Sequence, residues 1–261
     1  MNFYIQQIIE NKQRINKVNK KLVPLQSIID KLNSHPVPPR NFKQAVTIPD
    51  KLSIIGELKR ASPSKGLIRK EFNIEKLTET YVAGNVSAIS VLTAEYGFLG
   101  SLSYLKTVHD ITDIPVLRKD FIIDDYQIYE SLANYADAIL LIVSILSLQQ
   151  LKDYYELAAK LGLYALVEIH NETELNTALS INADIIGINS RNLDTFKINT
   201  ELVSKLKPLI PVEKTVIAES GIKTRDELAR MKQSGINAAL IGETFMRSSN
   251  LPQLLKEFVE I

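Results

Sequence analysis

A chain of 261 residues with 45% hydrophobic content carries enough apolar mass for one large core. Barrels of the α/β class run to about 200–250 residues as single units. The 31 Lys and Arg against 30 Asp and Glu leave a formal charge of +1, which offers no basic surface to nucleic acid or to an anionic membrane. With no cysteine, disulfides, thiol catalysis and thiolate-held metals are excluded. No apolar run approaches the roughly 18 residues of a membrane span, and none forms a signal segment, so a soluble, cytoplasmic protein is expected.

Residues 3 to 33 place Phe3, Ile5, Ile8, Ile9, Ile15, Val18 and Leu22 at helical spacing among Lys, Asn and Gln. Pro24 divides this stretch into two helices, and Pro36, Pro38 and Pro39 mark an extended connector. Pro24 and the irregular spacing count against a coiled coil. Residues 1–45 are therefore expected to form an N-terminal helical extension of a single domain spanning 1–261.

From Leu52 onward one unit recurs: a short β-branched apolar run, a polar or glycine-bearing loop, then an amphipathic segment. The runs are 53–58, 88–92, 115–117, 138–143, 164–167, 185–188, 215–218 and 238–241. The helices between them are expected near 74–83, 101–111, 124–133, 147–161, 173–180, 200–206, 224–233 and 251–259. Such alternation implies a parallel sheet with right-handed crossovers. Eight units predict closure into a (β/α)8 TIM barrel, whose chemistry sits where the strands end. A doubly wound open sheet, the competing architecture, wants a glycine-rich turn after its first strand, and Gly56 lies before that loop.

Ionisable residues collect at these strand ends. Side chains alternate along a strand, so Glu57 and Lys59 share a side with Ile55, and Lys119 and Phe121 with Leu117. Strand five ends in Glu168 and strand six in Asn189-Ser190-Arg191-Asn192. Strand seven ends in Glu219-Ser220-Gly221 and strand eight in Gly242-Glu243-Thr244. On strand four, Leu140 and Ile142 share a face, as ligand walling or as core. The Glu57–Lys59 pair alone reads equally well as a structural ion pair; five more such strands converging on one rim point to chemistry. Gly221 and Gly242, with the Ser220 and Thr244 hydroxyls, occupy the last two loops, where barrels of this class hold a phosphate. Ordinary turn glycine is the other reading of each. His35 and His109 are expected to be solvated, while His170 follows Glu168 closely enough to reach the rim; the three are too scattered for a metal site. Lys17 to Lys21, Lys205 and Lys207 read as solvated helical charge, and Tyr154 and Tyr155 as helix packing.

The ordered segments E-L-K-R-A-S-P-S-K-G, V-L-R-K-D-F, L-V-E-I-H, G-I-N-S-R-N-L, A-E-S-G-I and L-I-G-E-T-F-M-R resemble the indole-3-glycerol-phosphate synthase family. So do Ser90-Val91-Leu92-Thr93 and Phe98-Leu99-Gly100-Ser101. The resemblance spans essentially the whole chain. Ser190, where members usually carry a second Asn, and Gly97, where an aromatic is common, are departures outside the acid–base groups. The resemblance implies ring closure of 1-(2-carboxyphenylamino)-1-deoxyribulose 5-phosphate with loss of carbon dioxide and water, without metal or other cofactor. Partners beyond that phosphosugar-anthranilate substrate are not implied, apart from a monomer or weak homodimer.

By that resemblance Lys119 is the general acid for closure and Glu168 the base or relay in dehydration. Lys59 binds the substrate carboxylate or phosphate and donates a proton in the second step. Glu57 and Glu219 orient and balance the lysines. Asn189 and Arg191 hold the carboxylate and hydroxyls. Phe98, Phe121, Leu140 and Ile142, with Leu240, enclose the aromatic ring, and Ser62, Ser220, Gly221, Gly242 and Glu243 line the phosphate end. With other cations and apolar walls around it, a lysine in this role is expected to have its pKa lowered. Another phosphosugar barrel, such as an isomerase, would want a Cys or an Asp pair; a non-catalytic ligand-binding barrel could dispense with Lys119 or Glu168.

Overall fold

The computed structural model describes residues 3–261; Met1 and Asn2, the start of the expected extension, lie outside them. Eight strands close into one parallel barrel in chain order. They are β1 Ser53–Leu58, β2 Ala88–Leu92, β3 Val116–Lys119, β4 Ala138–Ile142, β5 Tyr164–Ile169, β6 Ile185–Asn189, β7 Thr215–Glu219 and β8 Ala238–Ile241. β8 returns to pair with β1 through Ile55 and Leu240. The strands are buried almost throughout, because side chains inside meet one another and those outside meet helices. That explains why they read as continuous apolar runs.

Helices α1 Phe3–Leu22, α2 Leu25–Ser34 and α3 Phe42–Val46 precede the barrel, and α4 Ile74–Ala83, α5 Ser103–Ile111, α6 Asp125–Ala133, α7 Leu148–Lys160 and α8 Glu172–Ser180 follow β1 to β5. After β6 to β8 come α9 Leu202–Leu206, α10 Arg225–Gln233, the short α11 Glu243–Arg247 and α12 Leu251–Val259. Asn73, Asp124, Ser147, Asn171, Thr224 and Asn250 each cap a helix by accepting a backbone N–H of its first turn, which stops the preceding loops sharply.

Two apolar clusters result. One fills the layer between barrel and helices; the other fills the barrel with Ile55, Leu117, Leu140, Leu166, Ile185, Ile217 and Leu240. α3 adds Phe42 and Val46 to the second cluster, and α1 adds Ile5 and Ile8. Ser53, the first residue of β1, donates to Ala45 O, so α3 sits at the entry end of the strands. Ile5 lies at the opposite end, beside the cavity described below.

α1 is fastened by a buried polar network. Lys12 lies 3.0 Å from Asp120 and 3.4 Å from Glu95. Arg118 pairs with Asp120 and Glu130 at 3.0 Å, and Asn16 donates to Gln127. Burial disfavours the Asp120 anion, but Lys12 and Arg118 outweigh it and hold the carboxyl below its ordinary range.

Several expectations need correction. The connector after α2 contains the unforeseen helix α3. β3, β5, β6 and β7 extend past the expected boundaries to Lys119, Ile169, Asn189 and Glu219, since a polar residue (Arg118, Glu168, Asn189 and Glu219) interrupts the apolar run in each. His109 is not freely solvated: its ring stacks on Tyr135 with centroids 4.6 Å apart and its Nδ1 is buried.

Candidate active site

The period of two decides which acids and bases enter the barrel mouth. Glu57 follows Ile55, Lys119 follows Leu117, Glu168 follows Leu166 and Glu219 follows Ile217, each two residues beyond an interior core position. All converge at the carboxyl ends of the strands, on a cavity of about 310 Å³. Every residue named above for the acid–base work and for the substrate lines this cavity.

At its floor the Lys119 ammonium lies between two carboxylates. It donates to Glu168 at 2.7 Å and to Glu219. Beside them Lys59 pairs with Glu57 at 2.5 Å. Burial opposes the charge on Lys119, yet Glu168, Glu219 and Glu57 overcome it and hold the ammonium protonated well above the ordinary lysine range. The expected lowering is therefore corrected: anions surround this lysine, not cations.

The two carboxylates are not equivalent. Burial would raise the Glu168 carboxyl, but Lys119 and then His170 outweigh it and hold the group well below its usual range. Glu219 is equally buried, has only its share of Lys119, and faces Glu168 and Glu57, so it is pushed up to about 7. Of the two carboxyls, Glu219 is therefore the one that takes up a proton more readily near neutrality.

Two glycines create the space these acids occupy. A Cβ on Gly187 would lie 2.2 Å from Glu219 Oε1, and one on Gly242 would lie 2.0 Å from Glu57 Oε2. Both positions share the inward parity of their strands, so any other residue there would displace a carboxylate.

The walls differ in character. Phe98 and Phe121 stand 6.1 Å apart, tilted by 43°, next to Leu140, Ile142 and Leu240. Ser62, Ser220, Gly221, Gly242 and Glu243 line the same cavity. Ser220 and Gly221 both have positive φ, 65° and 81°. The Asn189 side-chain oxygen accepts the Arg191 N–H at 3.0 Å. The Arg191 guanidinium donates to Phe196 O and pairs with Glu243 at 3.5 Å. Among the described residues no cluster of three or more His, Cys, Asp or Glu has the spacing to hold a metal ion.

Sequence reasoning missed several lining residues. Lys65, Lys223 and Arg247 add cations at the mouth, and Ile5, Leu193, Phe196 and Ile198 add apolar cover. Lys223 and Arg247 lie within a few residues of Gly221 and Gly242, a usable signal. Nothing local marks Ile5, which reaches the site only because α1 folds back across it.

A family model for indole-3-glycerol phosphate synthase matches residues 5–258. The chain belongs to the indole-3-glycerol phosphate synthase family. The family's member from Alkaliphilus metalliredigens is 44% identical over 253 residues, covering 97% of each chain. That from Caldanaerobacter subterraneus is 44% identical over 256 residues, covering 98% of this chain and 97% of its own. Among solved structures, 3-hexulose-6-phosphate synthase from Salmonella typhimurium superposes with a TM-score of 0.66 at 10% identity, over 80% of this chain and 97% of that one. A tryptophan synthase complex from Pyrococcus furiosus gives 0.60 at 14% identity, over 81% and 99%. At such identities these last two share the barrel fold with the family and nothing further.

Proposed function

We infer that the chain closes 1-(2-carboxyphenylamino)-1-deoxyribulose 5-phosphate to indole-3-glycerol phosphate, a carboxy-lyase step of tryptophan biosynthesis, with Lys119 as the acid for ring closure. The observation that carries this reading is the Lys119 ammonium held between Glu168 and Glu219 in a cavity lined by both apolar and polar side chains.

Closure requires the ring carbon bearing the carboxylate to attack the ketone, and the developing alkoxide needs a proton. Lys119 supplies it, and its surrounding carboxylates ensure that the proton is present at neutral pH. Carbon dioxide then leaves from that carbon, its bonding pair restoring the benzene ring, and the new five-membered ring becomes aromatic when the hydroxyl departs as water. That departure needs a second donor, Lys59, and a base for the ring proton, Glu168. Glu219, pushed up to about 7, is suited to return a proton to Lys119 between turnovers. Glu57 balances Lys59.

Phe98 and Phe121 with Leu140, Ile142 and Leu240 accept the anthranilate ring, and Arg191 and Asn189 its carboxylate. The phosphate takes the end lined by Ser62, Ser220, Gly221, Gly242 and Glu243. A non-glycine residue at positive φ costs about 1–2 kcal/mol, so Ser220 in that conformation supports a backbone shaped for a ligand. A barrel that merely bound a phosphorylated compound would gain nothing from burying a lysine against two acids. Lys119→Met should lower turnover by about two to four orders of magnitude, followed by the fluorescence of the indole product. Turnover at the wild-type rate would remove Lys119 from the acid role.

A further inference from the structure

His170 does not line the cavity, yet its side chain is only 6% exposed and lies between two carboxylates. Nε2 is 3.2 Å from Glu168 Oε1, and Nδ1 is 3.0 Å from Glu174 Oε2. The same Glu174 oxygen accepts the His170 backbone N–H at 2.8 Å. Glu174 is held in turn by Asn171, whose side chain donates to it at 2.7 Å and caps α8 by accepting its backbone N–H.

We propose that His170 is a positioning residue, an imidazole wedge that fixes the Glu168 carboxylate in the orientation that meets Lys119. With Oε2 held by Lys119 and Oε1 beside His170, the carboxylate cannot turn about its last bond without giving up a cation. A ring serving only the start of α8 would need Glu174 alone; Nε2 is buried without a hydrogen-bond partner among the described residues, and its one ion-pair partner there is the acid–base carboxylate, aligned for charge pairing and not for a hydrogen bond. The charged groups facing this pair are Glu174 on α8, Lys119 on β3, Glu219 on β7 and, across the mouth, Glu57 on β1. Burial opposes a charge on the ring, but Glu168 and Glu174 outweigh it and raise its pKa to about 10, so the wedge is an imidazolium at neutral pH.

The inference rests on Glu168 acting as base or relay, and the test separates the two. The pH dependence of turnover is measured on the full chain with the anilino-deoxyribulose phosphate, for wild type, His170→Gln, Glu174→Gln and Glu168→Gln. His170→Gln is expected to lower kcat roughly ten- to a hundredfold, the scale of a misplaced acid–base group, with KM within a few-fold. Its acid limb should move up by about one to three pH units, the effect of removing a cation beside a carboxylate. Glu174→Gln, which loosens the ring without removing it, should shift the limb the same way by less. Wild-type turnover in His170→Gln, or a loss with the acid limb unmoved, overturns the proposal. If His170→Gln does not fold, an unmoved limb in folded Glu174→Gln overturns it equally. Full turnover in Glu168→Gln overturns the role of Glu168 itself, whereas lost turnover there with an unmoved limb in the histidine variant overturns only the positioning.

Discussion

Gly187→Ala is the smallest change that should disable the site without touching an ionisable group. Gly187 pairs in register with Glu168 on one side and Ile217 on the other, and its backbone has no positive φ that a methyl would strain. The added Cβ would stand 2.2 Å from Glu219 Oε1 and 3.1 Å from Leu166 Cδ1. Ordinary contact begins at 3.4 Å, so the carboxylate must withdraw by about 1.2 Å. Glu219 then loses its contact with Lys119, and the ammonium drifts toward Glu168. A displacement of about 1 Å at reacting groups costs about a hundredfold in rate, equivalent to about 2.7 kcal/mol in the barrier. Progress curves of indole fluorescence, normalised to folded protein by urea titration, measure this. Shortening the acid as well, in Gly187→Ala with Glu219→Asp, should recover part of the loss. Undiminished turnover in the single variant would refute the idea that Glu219 must hold Lys119 in place.

Two further outcomes concern stability. Lys12→Met leaves Asp120 buried with Arg118 as its remaining cation, and urea unfolding should show a loss of about 3 kcal/mol, the lower end for a broken buried pair. Because the Asp120 carboxyl is held below its ordinary value, that penalty should be full above about pH 4 and shrink as acid protonates the group. His170 has the opposite sign. Its folded pKa is raised from 6.5 to about 10, so the folded state binds the extra proton between those values. The stability difference between wild type and His170→Gln should be full below pH 6.5 and fade as the pH rises through about 10, read from urea midpoints across that range. A difference that grows toward alkaline pH would contradict the imidazolium between Glu168 and Glu174.

Much of this molecule is legible in the linear chain because its determinants are local. Apolar runs bounded by Asn, Asp, Ser and Thr caps mark strands and helix starts, and the two-residue period alone puts Glu57, Lys119, Glu168 and Glu219 on the inward face. Pro24 likewise divides α1 from α2 without help from the fold. α3 escapes such a reading: five residues are too few for local propensity to nucleate a helix, and it forms because Phe42 and Val46 are buried at the barrel's entry end.

What only closure of the barrel decided is which charges become neighbours. Lys119 meets Glu168 from 49 residues away and Glu219 from 100 residues away. No local feature says that its surroundings are anionic, which is why the sign of its pKa shift had to come from the folded molecule. The same holds for Gly187, an unremarked glycine in an apolar run until Glu219 arrives beside it. Alternation along a strand is a property of the backbone; electrostatic environment is a sum over whatever tertiary packing brings within a few ångströms.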